Sequence, residues 1–367
     1  MRSWKILPLA IVAILLSGCG QFFVKQTSTG STTGTGNYLY VANQTVSSIA
    51  GFSLSSTALS VVSGSPVSLG VVPTSLARTP GGTFLYAGSP GGAIYGYSIG
   101  SNGALTILNS GSAVVSEISP TAIAVDPTGA WLIAVDPTPT AYVFSINSST
   151  GLLTSEGSLA LDTGTPTSIV FTPNNSLVYV ALGTGGTDIL TFASSTGALT
   201  KTSLILKPKQ NLGADQALAV DPGSKFLFVA ETGVNGVRVL SIGTNGALTE
   251  ATGSPYATGS AVTSVLVDST GSYVYVANSG SNNISAFLLS ATGALTAISG
   301  SPFTTGTSPA SLAEDTSDAF IAVACSGGSP DMQVFTISTT TPGALTNFAT
   351  ATTGTDPTGA LVVVSSK

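Results

Sequence analysis

The chain has no histidine anywhere in its 367 residues. That absence excludes a Ser-His-Asp triad, a His general base and His-ligated metal chemistry. Only two cysteines occur, Cys19 and Cys325. They cannot build a disulfide framework or a cysteine-rich metal site. Charged residues are 7% of the chain, against about 25% in a typical soluble domain. Lys and Arg number 10 against 16 Asp and Glu, with no basic stripe, so nucleic acid is not an expected partner. No glycine-rich loop precedes a helical pattern, and no His/Cys/Asp/Glu cluster has metal-ligand spacing. The expectation is therefore no cofactor and no metal. The apolar run Ile6–Leu16 is too short to span a bilayer.

What the chain does contain is one pattern repeated seven times. Its marker is a short apolar strand: Tyr38–Ala42, Phe84–Ala87, Trp131–Val135, Leu177–Ala181, Phe226–Ala230, Tyr273–Ala277 and Phe320–Ala324. First residues lie 46, 47, 46, 49, 47 and 47 positions apart. A period near 47 with several strands per repeat points to propeller blades. Each marker is followed by an alternating strand such as Ala93–Ile99 or Asn283–Leu288. Then comes a block like Gly103-Ala104-Leu105-Thr106 or Gly246-Ala247-Leu248-Thr249, replaced in the first repeat by Thr57-Ala58-Leu59-Ser60. Asn-Gly before Ala-Leu-Thr suits a tight turn with positive φ. A further strand, such as Thr121–Val125, ends in a turn such as Asp126-Pro127-Thr128-Gly129. The expected fold is all-β: a seven-bladed propeller with four antiparallel strands per blade, spanning residues 37–367. Asp126, Asp221 and Asp268 are turn formers in this reading.

The chain enters the pattern at the second strand of a blade. Its last segment, Pro357–Val364, matches an innermost strand, because Leu345 to Pro357 resembles the Leu295 to Pro309 spacing. The C-terminal strand is thus expected to close the first blade and cover two otherwise unpaired edges.

The N-terminus reads as an export signal. Arg2 and Lys5 precede the apolar run, which ends in Leu16-Ser17-Gly18-Cys19. This resembles a bacterial lipobox, which implies a signal peptide over 1–18, a lipid on Cys19 and a Ser/Thr/Gly tether over 19–36. Gly20 resembles the residue of lipoproteins sent to the outer membrane of diderm bacteria. The expected location is the cell envelope, membrane-held through Cys19. The expected state is a monomer, with an envelope protein or glycan as partner. Cys325 reads as a small core residue, since no His is present to activate it.

Tyr40-Val41-Ala42-Asn43 and Tyr275-Val276-Ala277-Asn278 resemble the YVTN-type repeat. With the Gly-Ala-Leu-Thr blocks and Asp-Pro-x-Gly turns, the chain is similar to the seven-bladed lactonase family, whose members include bacterial 6-phosphogluconolactonases. The resemblance implies opening of a lactone, which needs an activated water and stabilisation of the oxyanion. The family's Gly-Pro-Arg-His segment aligns with Ala214-Asp215-Gln216-Ala217 here, and its Asn-Glu with Glu231-Thr232. The Arg and His are both gone. The propeller's cations are Arg78, Lys201, Lys207, Lys209, Lys225, Arg238 and Lys367.

The long connection Lys207–Asp215 departs from the repeat and accounts for the 49-residue spacing. It reads as a solvated loop with charges at its tip, and otherwise as a small polar site with Lys207 or Lys209 as anchor and Asp215 or Glu231 as base, in either case at a solvated rim. Asp188 and Asp136 are expected in comparable connections of other blades. With a lipid anchor, no His, a sparsely charged Ser/Thr-rich surface and those acids at a wet rim, the expectation is a non-catalytic binding or scaffold module. The alternative is a sugar lactonase in which a carboxylate replaces the lost His.

Overall fold

The computed structural model describes residues 37–209, 213–233, 235–315, 317–328 and 330–353, and the backbone of 357–365. Strand follows strand along this chain, and the only helical pieces among the described residues are two single 3₁₀ turns, Asn109–Gly111 and Thr244–Gly246. The strands form seven separate antiparallel sheets, the blades. Their innermost strands are Pro357–Ser365 in blade 1, Ser75–Arg78 in blade 2, Ala122–Val125 in blade 3 and Ser168–Phe171 in blade 4. Blades 5, 6 and 7 begin with Ala214–Val220, Val262–Val267 and Pro309–Glu314. The seven apolar marker strands are the second strands, and they are almost wholly buried.

Closure follows the spacing argument. Pro357–Ser365 pairs antiparallel with Asn37–Asn43, from Asn37 opposite Ser365 to Asn43 opposite Pro357. The ring is sealed by hydrogen bonds between the two ends of the propeller, and no inner edge of blade 1 is left open. One detail differs from four simple strands per blade. In blades 1, 2, 5 and 6 the third strand carries a second short outer segment: Val67–Ser68, Val115–Ser116, Tyr256–Ala257 and Phe303–Thr304. In three of these the outer strand breaks at a Gly-Ser-Pro turn. The Ser hydroxyl there accepts the third-strand amide left without a partner, from Gly51 to Ser65 (2.7 Å), Val239 to Ser254 (3.0 Å) and Ala286 to Ser301 (2.9 Å).

The buried apolar side chains sort into seven clusters, one per seam between neighbouring blades. The Gly of each Gly-Ala-Leu-Thr block belongs to these seams. Gly103, with φ +79°, lies against the Tyr38 ring of the preceding blade. Gly197 lies in the same way against Trp131, and Gly293 against Phe226. The tyrosine two places after the first aromatic then donates to that glycine's carbonyl: Tyr40 to Gly103 (2.6 Å), Tyr86 to Gly151 (2.8 Å) and Tyr275 to Gly343 (3.0 Å). The repeated Tyr and Gly thus tie blade 1 to 2, blade 2 to 3 and blade 6 to 7. The turn aspartates act locally: Asp126, Asp221, Asp268 and Asp315 each accept backbone amides of their own turn.

Candidate functional site

The seven second strands all end at one face, and the residue that follows their apolar run is Asn43, Ser89, Asp136, Leu182, Glu231, Asn278 or Cys325. Each is buried. Opposite this position on the innermost strand stand Pro357, Pro309, Val262 and, in blade 5 alone, an acid: Asp215 pairs with Glu231 across the sheet. By spacing, Pro73, Pro120 and Pro166 occupy the same place in blades 2, 3 and 4. Blade 5 therefore puts two carboxyl groups side by side where the other blades put a proline or a valine.

The structure corrects the expected setting of these acids. Asp215 and Glu231 do not sit at a wet rim. Both are 0% exposed. The reason is that the long connection does not extend to Asp215. Strand structure resumes at Ala214, and Asp215 joins the ladder, also donating its amide to Gly183 O of blade 4 (3.0 Å). The Asp215–Glu231 pairing then directs both side chains into the seam between blades 4 and 5, beneath Lys207–Lys209.

Four neighbours define the chemistry of the pair. Thr187 of blade 4 donates its hydroxyl to Asp215 Oδ2 (2.6 Å). Arg238, on the third strand of blade 5 and 5% exposed, donates Nη1 to Glu231 Oε1 (2.8 Å) and to Lys207 O (3.0 Å). The Lys209 amide also donates to Glu231 Oε1 (3.1 Å). Asp215 Oδ1 and Glu231 Oε2 have no donor among the described residues. The two carboxyl groups are close enough for one to donate to the other when it carries a proton. Burial is the main cause that pushes the Asp215 carboxyl up, to about 7. The Glu231 charge adds to the rise, while the Thr187 hydroxyl and the Arg238 guanidinium oppose it. Two carboxyls in one dry seam cannot both ionise cheaply, so Asp215 carries a proton it can lose near neutral pH.

The other expected site residues fall elsewhere. Lys209 is drawn to the surface side of the cluster, its Nζ 2.9 Å from Glu250 Oε1. Lys207 contributes its carbonyl to Arg238, and its Nζ reaches Gly185 O (3.3 Å). Asp188 and Asp136 lie on strands, Thr187–Ala193 and Trp131–Asp136, and not in connections, which is a second correction. Asp188 follows Thr187 and so faces the other side of blade 4. There it accepts the Asp162 amide (2.8 Å) beside a Lys201–Asp162 pair (2.5 Å), and burial pushes its carboxyl up. Asp136 accepts from Thr138 and Tyr142 within blade 3. Neither joins the Asp215–Glu231 pair. Cys19, Lys367 and the segment 1–36 lie outside the described residues. Cys325 is wholly buried in the seam between blades 6 and 7, and burial pushes its thiol up to about 11.

Arg238 had no role assigned from the sequence beyond being one of seven cations. A signal was present: it interrupts the apolar alternation of Gly236–Leu240, and a lone Arg in a buried strand demands an anionic partner.

Comparison with known proteins agrees with this architecture. The family model described as "Lactonase, 7-bladed beta-propeller" matches residues 63–364. No curated protein matches the sequence. Among solved structures, a periplasmic gluconolactonase of Pseudomonas aeruginosa superposes with a TM-score of 0.75 at 16% identity, covering 90% of this chain and 99% of that one. A putative 6-phosphogluconolactonase of Bacteroides uniformis gives 0.74 at 17% identity, covering 90% and 100%. Another from Bacteroides fragilis gives 0.74 at 18%, covering 92% and 100%. At such identities the superpositions speak to fold alone.

Proposed function

This chain belongs to the lactonase family of seven-bladed β-propellers, and from that premise we propose that it hydrolyses a sugar lactone with Asp215 and Glu231 as its acid–base pair. The observation that carries the reading is the buried, proton-sharing carboxyl pair beside Arg238. The expectation of a non-catalytic module rested on the lipid anchor, the missing His and the sparsely charged Ser/Thr-rich surface, together with acids at a solvated rim; the burial of Asp215 and Glu231 removes only the last of these.

The chemistry balances with these groups. The ionised carboxylate of the pair takes a proton from a water whose oxygen bonds to the lactone carbonyl carbon. The bond from that carbon to the ring oxygen then breaks. The proton passes from the pair to the departing oxygen, giving the open hydroxy acid and restoring the starting charge state. Arg238 supplies positive charge in a dry seam, where it counts for more than in water. For substrate to reach the pair, Lys207–Lys209 has to move aside, which breaks the Lys209 amide bond to Glu231, the Arg238 bond to Lys207 O and the Lys209–Glu250 ion pair.

Phosphorylated lactones fit this site poorly. Arg238 is taken by Glu231 and Lys209 by Glu250, and Lys207, whose Nζ reaches only the Gly185 carbonyl, is a single lysine left to meet a phosphate. The substrate class is thus a neutral sugar lactone. The discriminating experiment is a hydrolysis panel with purified protein lacking residues 1–18. Gluconolactone is expected to open at least about 10²-fold faster than in buffer, the lower end of general acid–base assistance. 6-Phosphogluconolactone is expected to stay near the buffer rate. Failure with every lactone leaves the binding role for an envelope glycan or protein. We also infer export and a lipid on Cys19, supported by Leu16-Ser17-Gly18-Cys19, with the propeller a monomer at the envelope.

A further inference from the structure

Glu250 lies on the outer strand of blade 5, Leu248–Glu250, and no step written above uses it. Its Oε1 gathers three donors: Lys209 Nζ (2.9 Å), Ser254 Oγ (2.9 Å) and, as an ion pair, Arg238 Nε (3.5 Å). Arg238 Nε has no other partner among the described residues, although it is buried. The guanidinium is therefore stretched between two acids, Glu231 on one side and Glu250 on the other. Its position decides how much positive charge the Asp215–Glu231 pair feels.

We propose that Glu250 is a positioning residue that clamps the Arg238 guanidinium against Glu231 and so sets the proton balance of the buried pair. The inference rests on the reading of that pair as the acid–base device, but it concerns the pair's titration and not turnover. The groups facing the pair are Thr187 from blade 4, Arg238 from the third strand of blade 5 and the Lys209 amide from above. Glu250 and the Lys209 ammonium stand one step further out. Asp188, Lys201 and Asp162 lie across blade 4 and face away.

A clamp and a bare charge have opposite signatures. If Glu250 acted only through its charge, removing it would make the surroundings of Asp215 more positive and lower its apparent pKa. If it holds Arg238 in place, truncation lets the guanidinium drift from Glu231. The pair then loses its counter-charge, and the Asp215 pKa rises. A glutamine at the same place keeps Oε1 for Lys209 and Ser254 but exchanges the ion pair to Arg238 for a weaker dipolar contact, so it loosens the clamp only in part.

The test is a titration of the Asp215 carboxyl carbon by NMR in ¹³C-labelled protein, comparing the native chain, Glu250→Ala and Glu250→Gln. Glu250→Ala is expected to raise the Asp215 midpoint by about half a unit or more, and Glu250→Gln to raise it by less. A fall in either variant, or no change in Glu250→Ala, overturns the proposal. Unfolding curves for both variants check that the propeller is intact, and Glu250→Gln remains informative if Glu250→Ala does not fold. Because no substrate is involved, failure here is separate from failure of the lactonase reading, which the hydrolysis panel decides.

Discussion

At the residue scale, what distinguishes this propeller is where it buries acids. Asp215, raised to about 7, and Glu314, raised to about 8, are both pushed up first by burial. Glu314 ends the innermost strand of blade 7 among Asp268, Asp315 and Asp318, and accepts the Ser269 amide at 2.7 Å. A carboxyl whose folded pKa exceeds its unfolded value binds its proton better when folded. Its stabilisation is fully present below the unfolded pKa, near 4, and is lost as pH rises through 7 to 8. Glu250 and Asp162 are lowered by their lysine partners, and they act the other way only below about pH 4.5. The urea midpoint is therefore expected to be higher at pH 5 than at pH 9, with Glu314→Gln flattening part of the slope. A midpoint that climbs from pH 5 to 9 contradicts these assignments. The acids themselves were legible in the sequence, and their burial was not. Asp215 occupies a strand position, but the long Lys207–Asp215 connection made it resemble a loop tip. Only the register against Glu231 reveals that both side chains enter the seam.

At the scale of the element, the blades are held by contacts that the repeat itself spells out. Gly103 has φ +79°, and a Cβ there would lie 2.4 Å from the Tyr38 ring. Gly64 has a similar φ of +80°, with nothing within 4 Å. Gly64→Ala is expected to cost about 1–2 kcal/mol, the left-handed backbone penalty alone. Gly103→Ala carries the same penalty plus displacement of Tyr38 and the Tyr40–Gly103 bond, which adds about 0.5–1.5 kcal/mol more. Chemical denaturation of the two variants measures the difference, and equal losses would show that the seam does not depend on the glycine. The spacing arithmetic made the seven blades and the C-terminal closure readable, because each strand carries its own turn signal. It did not reveal the split outer strands, since segments of two residues have no periodicity to detect. Removing residues 355–367 takes away the inner partner of Asn37–Asn43, which keeps Ser48–Leu54 on its other edge. A loss of several kcal/mol is expected from an unpaired inner ladder, and unaltered melting of the truncated chain would refute the closure.

At the scale of the whole molecule, a ring of seven similar blades places its two paired buried carboxyls in one seam, between blades 4 and 5. Prolines fill the inner position of five blades. Blade 5 replaces that residue with Asp215 and adds Glu231 and Arg238 from its next two strands. If Cys19 carries lipid, the seam operates at a membrane surface, and Cys19→Ala is expected to move the protein from the membrane to the soluble fraction. Persistence of the variant in the membrane would sink that anchor. The family resemblance was readable from the repeats, whereas the buried setting of the proposed acid–base pair was not, because Asp215, Glu231 and Arg238 break the repeat. The most direct test of the central claim is the pH dependence of gluconolactone hydrolysis by the native chain and by Asp215→Asn, each corrected for the buffer reaction. The native chain is expected to show kcat/KM governed by a group titrating near 7, and Asp215→Asn to lose about 10²-fold or more of that rate without unfolding. Equal rates for the two proteins, or no rate above buffer for the native chain, would contradict the account.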